Sequence, residues 1–384
     1  MGYNKMKKVR ILIYSIPFIF FSPALAYANA GTAFMWAVGF HLLIGNLFIG
    51  VLEGYLLSRI FKARLKYSIS IMIAANYFSM IAGIFLIDWL KNFTILHIPQ
   101  AILFYHIPAL LIAIYVLFLI VTVFLEWPFC FWTMGKMDRR KTKSLIASLV
   151  IQAISYCLLV PFYMSASQIS LVTKVKIDNP ASFASMKAWV YFISLKDDNV
   201  YKIRTDGSSP VKIMEIGEQD KIEYLYVRPG EESGTWDLWG YTFVPGRKML
   251  LIRNFSTHAA LTSYEQKTIE RGEPLPDPVN FMATTDLRLT AEKNWDSIST
   301  GFWPAEGLSA TNMKTGEKFQ IALEAPFLFW YSRNASVIPG DQVIYQLADL
   351  IVVLDLNKKK IGLITEGRGP VVTLLNKSEK KHFK

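Results

Sequence analysis

The sequence predicts a membrane α-helical protein, a four-helix transmembrane bundle, followed by an all-β domain on the far side of the membrane. Three observations carry this expectation. Four apolar stretches, at 34–57, 67–90, 101–125 and 145–165, are confined to the first 165 residues. Each has about the 20 residues that a helix needs to cross ~30 Å of hydrocarbon. The loops between them alternate between strongly basic and nearly uncharged. Beyond them the long apolar runs stop, and short alternating segments punctuated by turns begin.

Composition fits this division. Of the 384 residues 52% are hydrophobic, an average over a very apolar first part and an ordinary polar second part. The net charge of +11 would suggest nucleic acid in a soluble protein. Here much of the excess lies in short loops beside the apolar stretches, where it signals orientation, so no nucleic-acid partner is expected. The two cysteines, Cys130 and Cys157, both fall in the apolar part, which leaves the second part without a disulfide framework.

Residues 1–30 read as a secretory signal. Lys5, Lys7, Lys8 and Arg10 precede a short apolar core, and Ala28-Asn29-Ala30 supplies the small residues of a cleavage site. The loop after the first stretch carries Arg59, Lys62, Arg64 and Lys66. The loop after the third carries Lys136, Arg139, Arg140, Lys141 and Lys143, whereas the loop between the second and third has only Lys91. Basic loops stay cytoplasmic. The expected domains are therefore a signal peptide (1–30), a four-helix transmembrane domain (31–165) and an extracytoplasmic all-β domain (166–384), in a bacterial inner membrane with the lipid bilayer as first partner.

Lipid offers helices no hydrophobic reason to associate, so small residues that let backbones approach gain weight. Asn46, Gly50 and Gly54 share one face of the first stretch, and Ala75, Ser79 and Gly83 share one face of the second. Close packing of these two helices is expected, with kinks at Pro108 and Pro161.

Ionisable and amide side chains inside a membrane are costly and become functional candidates by default. The candidates are Asn46, Glu53, Asn76, Glu126 and Gln152, together with His41 and His106. The histidines lie at similar depth near the outer ends of the first and third stretches, as two axial haem b ligands would. His97 and Asp88 extend the same outer region to a metal or proton site. Glu53 and Glu126 lie near the opposite face. The plainer reading is structural, with the glutamates paired or snorkelling and the histidines bonded between helices.

In the second part, 189–193, 200–203 and 211–213 read as strands separated by Asp197-Asp198-Asn199 and by Asp206-Gly207-Ser208-Ser209. The rhythm returns at 343–347, 350–356 and 361–364. Strands are also expected at 224–227, 238–243, 249–253 and 319–323, a loop at the proline-rich 274–278, and a turn at 367–370. The repeated unit, with Tyr-Lys-Ile-Arg-Thr-Asp-Gly at 201–207, resembles blades of bacterial β-propeller-type repeats. The resemblance implies a propeller-like domain, against which a β-sandwich or irregular barrel stands as the alternative. It also implies binding and scaffolding rather than chemistry.

No G-x-S-x-G, phosphate-binding loop or Cys/His cluster occurs in the sequence. The expected function is thus presentation of the extracytoplasmic β domain to an envelope protein or polymer, without catalysis or cofactor. The alternative is a membrane redox or transport component that uses the intramembrane His and Glu residues for haem, metal or a proton relay.

Overall fold

The computed structural model describes residues 44–93, 99–135, 137–166, 168–169, 174–183, 188–217, 222–233, 235–242, 247–256, 287–288, 294–300, 307–325 and 328–374. The predicted signal segment, His41, His97 and the stretch 274–278 lie outside these residues. The chain divides into two compact units, Met1–Ile98 with Pro108–Gln168, and Pro99–Ile107 with Ile169–Lys384.

Four α-helices occur among the described residues: α1 (Asn46–Phe61), α2 (Leu65–Phe93), α3 (Gln100–Thr133) and α4 (Arg140–Ala166). Two of them, α3 and the Arg140–Pro161 part of α4, are long and apolar enough to cross a membrane. Helix α3 continues through Pro108 and Pro128, and α4 through Pro161.

The pairing of α1 with α2 follows from two glycines. A Cβ at Gly50 would stand 2.6 Å from the Ile73 Cα, and one at Gly54 would collide with the backbone of Ile69. Residue numbers fall on one helix as they rise on the other, so the two run antiparallel in close backbone contact. Gly83, the third glycine of the expected packing faces, has open space around it. The α3–α4 connection is held by Arg140, whose Nε donates to the Phe131 carbonyl at 2.7 Å, and by the Trp127 indole N–H donating to Ser144 Oγ at 2.9 Å.

The helical unit is inverted relative to a water-soluble core. Phe85, Ile112, Phe124 and Leu149 are 71, 65, 62 and 55% exposed, whereas Glu53 and Glu126 are 0% exposed. Many large apolar side chains face outward, while these two carboxyl groups face inward.

The second unit is mostly β, in several sheets. Strands Ala188–Ile193, Val200–Arg204 and Val211–Met214 form an antiparallel meander, and Arg368–Leu374 joins it alongside Ala188–Ile193. A second antiparallel meander is Tyr224–Pro229, Trp236–Tyr241 and Lys248–Ser256. A third is Ser332–Ile338, Gln342–Leu347, Leu350–Asp355 and Lys360–Glu366, with short parallel strands Lys176–Asp178 and Leu287–Arg288 at its edges. Trp295–Thr300, Leu308–Asn312 and Lys318–Ile321 make a fourth.

The first sheet is covered on both faces. Val190, Phe192, Ile203 and Val372 pack with Ile344, Ile351 and Val353 of the third sheet. Trp189, Tyr191, Ile193, Val200 and Val371 pack with Leu225 and Leu238 of the second. This double burial explains why Ala188–Ile193 is apolar throughout rather than alternating. The expected strands at 189–193, 200–203, 211–213, 343–347 and 361–364 are present, and that expected at 350–356 ends one residue earlier, at Asp355. Among the described residues the sheets form neither a closed barrel nor a closed propeller.

The expected turn at 367–370 is corrected. Only Gly367 separates two strands, and the register shifts between Arg368 and Val371. Gly369, at φ 62°, donates its N–H to Gln346 Oε1 at 2.9 Å, and Arg368 bonds Asp198 at 2.5 Å. These contacts replace the free loop with a bulged, anchored strand start.

The turn at 194–199 yields a prediction. Asn199 Nδ2 and the Tyr201 hydroxyl both donate to Asp197 Oδ2 at 2.8 Å, and with the Asn199 bond as the larger cause they hold the Asp197 carboxyl down at about 2. A carboxyl lowered on folding stabilises the native state above its ordinary range, and that contribution fades as pH falls toward the folded value. Asp197→Asn is expected to lower the thermal midpoint at pH 7. The gap to the unaltered protein should close as pH is taken down to about 2.

Candidate functional site

Each of the four helices turns a short polar stripe inward, at the spacing that places side chains on one face. On α1 the buried residues are Asn46, Gly50, Glu53, Gly54 and Leu57. Helix α2 contributes Met72, Ala75, Asn76 and, one turn on, Ser79. Helix α3 contributes Val123, Glu126 and Cys130, and α4 contributes Ser144, Ser148, Ile151, Gln152 and Ser155.

The stripes converge on two carboxyl groups. Asn76 Nδ2 donates to Glu53 Oε2 at 2.6 Å. Gln152 Nε2 donates to Glu53 Oε1 at 3.0 Å, and the Ser155 hydroxyl donates to the same oxygen at 2.7 Å. Gln152 Nε2 also reaches Glu126 Oε2 at 2.5 Å, and Ser79 Oγ lies 2.7 Å from Glu126 Oε1. Six side chains from four helices, the two acids among them, thus form one network. Leu57, Met72, Ala75, Cys130, Ala147 and Ile151 pack as an adjoining apolar core. Among the described residues no lysine, arginine or histidine is within ion-pair distance of either glutamate, and no group of three metal-ligating side chains forms.

The small residues of α1 make this geometry accessible. Because Gly50 and Gly54 let the α1 backbone touch α2, the Glu53 carboxyl reaches Asn76 at full hydrogen-bonding contact. An Asn76 further away would leave that carboxyl oxygen without its amide partner.

Of the polar residues expected from sequence, Glu53, Asn76, Glu126 and Gln152 are brought together. Asn46 is buried, with its Nδ2 3.2 Å from Met80 Sδ. His106 is exposed and belongs to the part of α3 that groups with the second unit. His41 lies outside the described residues, so the haem arrangement has no observed geometry. Sequence reasoning missed Ser155, a hydroxyl in an apolar run, and treated Ser79 as a spacer although it contacts Glu126. The signal that would have found both is their position: Ser79 lies one turn from Asn76, and Ser155 one turn from Gln152.

No protein-family model and no curated protein matches the chain.

Proposed function

We propose that the chain is an integral membrane protein whose helical unit holds a proton-binding carboxyl pair, as a transport or energy-coupling component does. The observation that carries this is the buried Glu53–Gln152–Glu126 chain of α1, α4 and α3, joined by α2 through Asn76 and Ser79 and free of cations among the described residues. Two negative charges in one dry site repel each other and have lost their water, so such a pair retains a proton. Structural ion pairs need a cation, and here amides and hydroxyls occupy the places a cation would take.

The membrane setting is supported by the outward apolar and inward polar faces, a distribution that suits lipid and would be costly in water. The basic loops at 59–66 and 136–143 support cytoplasmic placement of the corresponding helix ends, which puts the β unit outside a bacterial inner membrane. On this reading the β unit is the part available to an envelope protein or polymer. Its stacked antiparallel sheets, and the pairing of Arg368–Leu374 with Ala188–Ile193, support a propeller-like arrangement.

The test is proton flux in liposomes loaded with a pH-sensitive dye. Full-length protein is expected to dissipate an imposed pH gradient faster than empty vesicles, and Glu53→Gln and Glu126→Gln are each expected to abolish that excess. Flux that survives both substitutions would remove the carboxyl pair from the function.

A further inference from the structure

The hydrogen count within the network distinguishes its two acids. Glu53 accepts from Asn76, Gln152 and Ser155. The two hydrogens of the Asn76 amide go to Glu53 and to the Met72 carbonyl at 2.9 Å, and those of Gln152 go one to each glutamate. Each of the three donors therefore has a separate hydrogen to give to Glu53, as a carboxylate requires.

Glu126 differs. Its Oε2 accepts from Gln152, but its Oε1 faces Ser79, whose hydroxyl also lies 3.1 Å from the Asn76 carbonyl. One hydroxyl has one hydrogen and cannot serve two acceptors fully. The conflict disappears if Glu126 carries the proton on Oε1 and donates to Ser79, which then donates to the Asn76 carbonyl.

We propose that Gln152 is a positioning residue that holds the two acids as one unit, with the negative charge on Glu53 and the proton on Glu126. This rests on the proton-centre reading above. Among the described residues, the titratable side chains close enough to feel the pair include Cys130 on α3 and Tyr156 on α4. Neither carries a positive charge that would stabilise a second carboxylate. A single amide bonded to both acids keeps them in register whichever one is charged, and the uneven supply of donors sets the resting position of the proton.

Infrared difference spectra of the full-length protein at neutral pH test this through the carbonyl stretch of a protonated carboxylic acid. The band is expected in the unaltered protein, lost in Glu126→Gln and retained in Glu53→Gln. Ser79→Ala and Gln152→Leu are each expected to shift its frequency, by removing the acceptor of the acid hydrogen and the donor to Oε2 respectively. Should the leucine variant not accumulate, Gln152→Asn, one methylene too short, reads the same contact. Loss of the band in Glu53→Gln instead would overturn the assignment of the proton. An unshifted band in the Gln152 variants would overturn the positioning role. Absence of any band in the unaltered protein would leave both acids charged and would sink the proton-centre reading itself.

Discussion

Gly54→Val is expected to destabilise the helical unit by about 3 kcal/mol, at the upper end of what overpacking costs. The added Cβ meets the Ile69 backbone rather than a side chain, so no rotamer change relieves it. The helices must separate, and the Glu53–Asn76 bond across the same interface lengthens with them. Gly50→Ala, whose Cβ would stand 2.6 Å from the Ile73 Cα, is expected to act in the same direction with a smaller effect. Gly83→Ala is the internal control. Nothing lies within 4 Å of its added Cβ, and alanine is the better helix former by about 1 kcal/mol. Thermal unfolding in detergent, followed by helical circular dichroism, should therefore show two losses and no loss at three glycines that sequence places in one class.

Glu53→Leu carries the second large effect, about 2–4 kcal/mol of stability. It leaves the Asn76, Gln152 and Ser155 donors facing hydrocarbon, and each interhelical bond in a membrane is worth roughly 0.6–1.7 kcal/mol, to which the orphaned donors add their desolvation. Glu53→Gln keeps the shape and one acceptor oxygen. It meets only the Asn76 amide unfavourably, since both would present N–H groups, and should cost about 1 kcal/mol. A denaturation series that ranks the unaltered protein above glutamine, and glutamine well above leucine, would follow from the network. Equal losses for both substitutions would mean that charge rather than hydrogen bonding holds Glu53 in place.

The sequence disclosed the helices and most of the site, because apolar length and intramembrane polarity are local properties. Glu53, Asn76, Glu126 and Gln152 stand out one by one as polar residues in apolar surroundings. That they meet is a property of four helices together, and spacing within one helix says nothing about which neighbour it faces. Asn46 illustrates the limit: it shares a face with Glu53, and nothing in its spacing foretells that its amide meets Met80 of the neighbouring helix. Ser155 was invisible because an isolated serine is common in membrane helices and bonds its own backbone as often as a neighbour. In the β unit the hairpins were legible from turn residues. The strand Arg368–Leu374 was not, since its partner Ala188–Ile193 lies far away in sequence and only tertiary contact joins them.

That distant pairing governs when the β unit can finish folding. Ala188–Ile193 is synthesised long before Arg368–Leu374, so in the interval one edge of a wholly apolar strand stays open. Contacts of such long range form slowly, and an unpaired apolar edge invites association with other chains. Completion of the sheet thus waits for Arg368–Leu374, and a ribosome that stops short of Arg368 releases a sticky intermediate rather than a smaller stable protein.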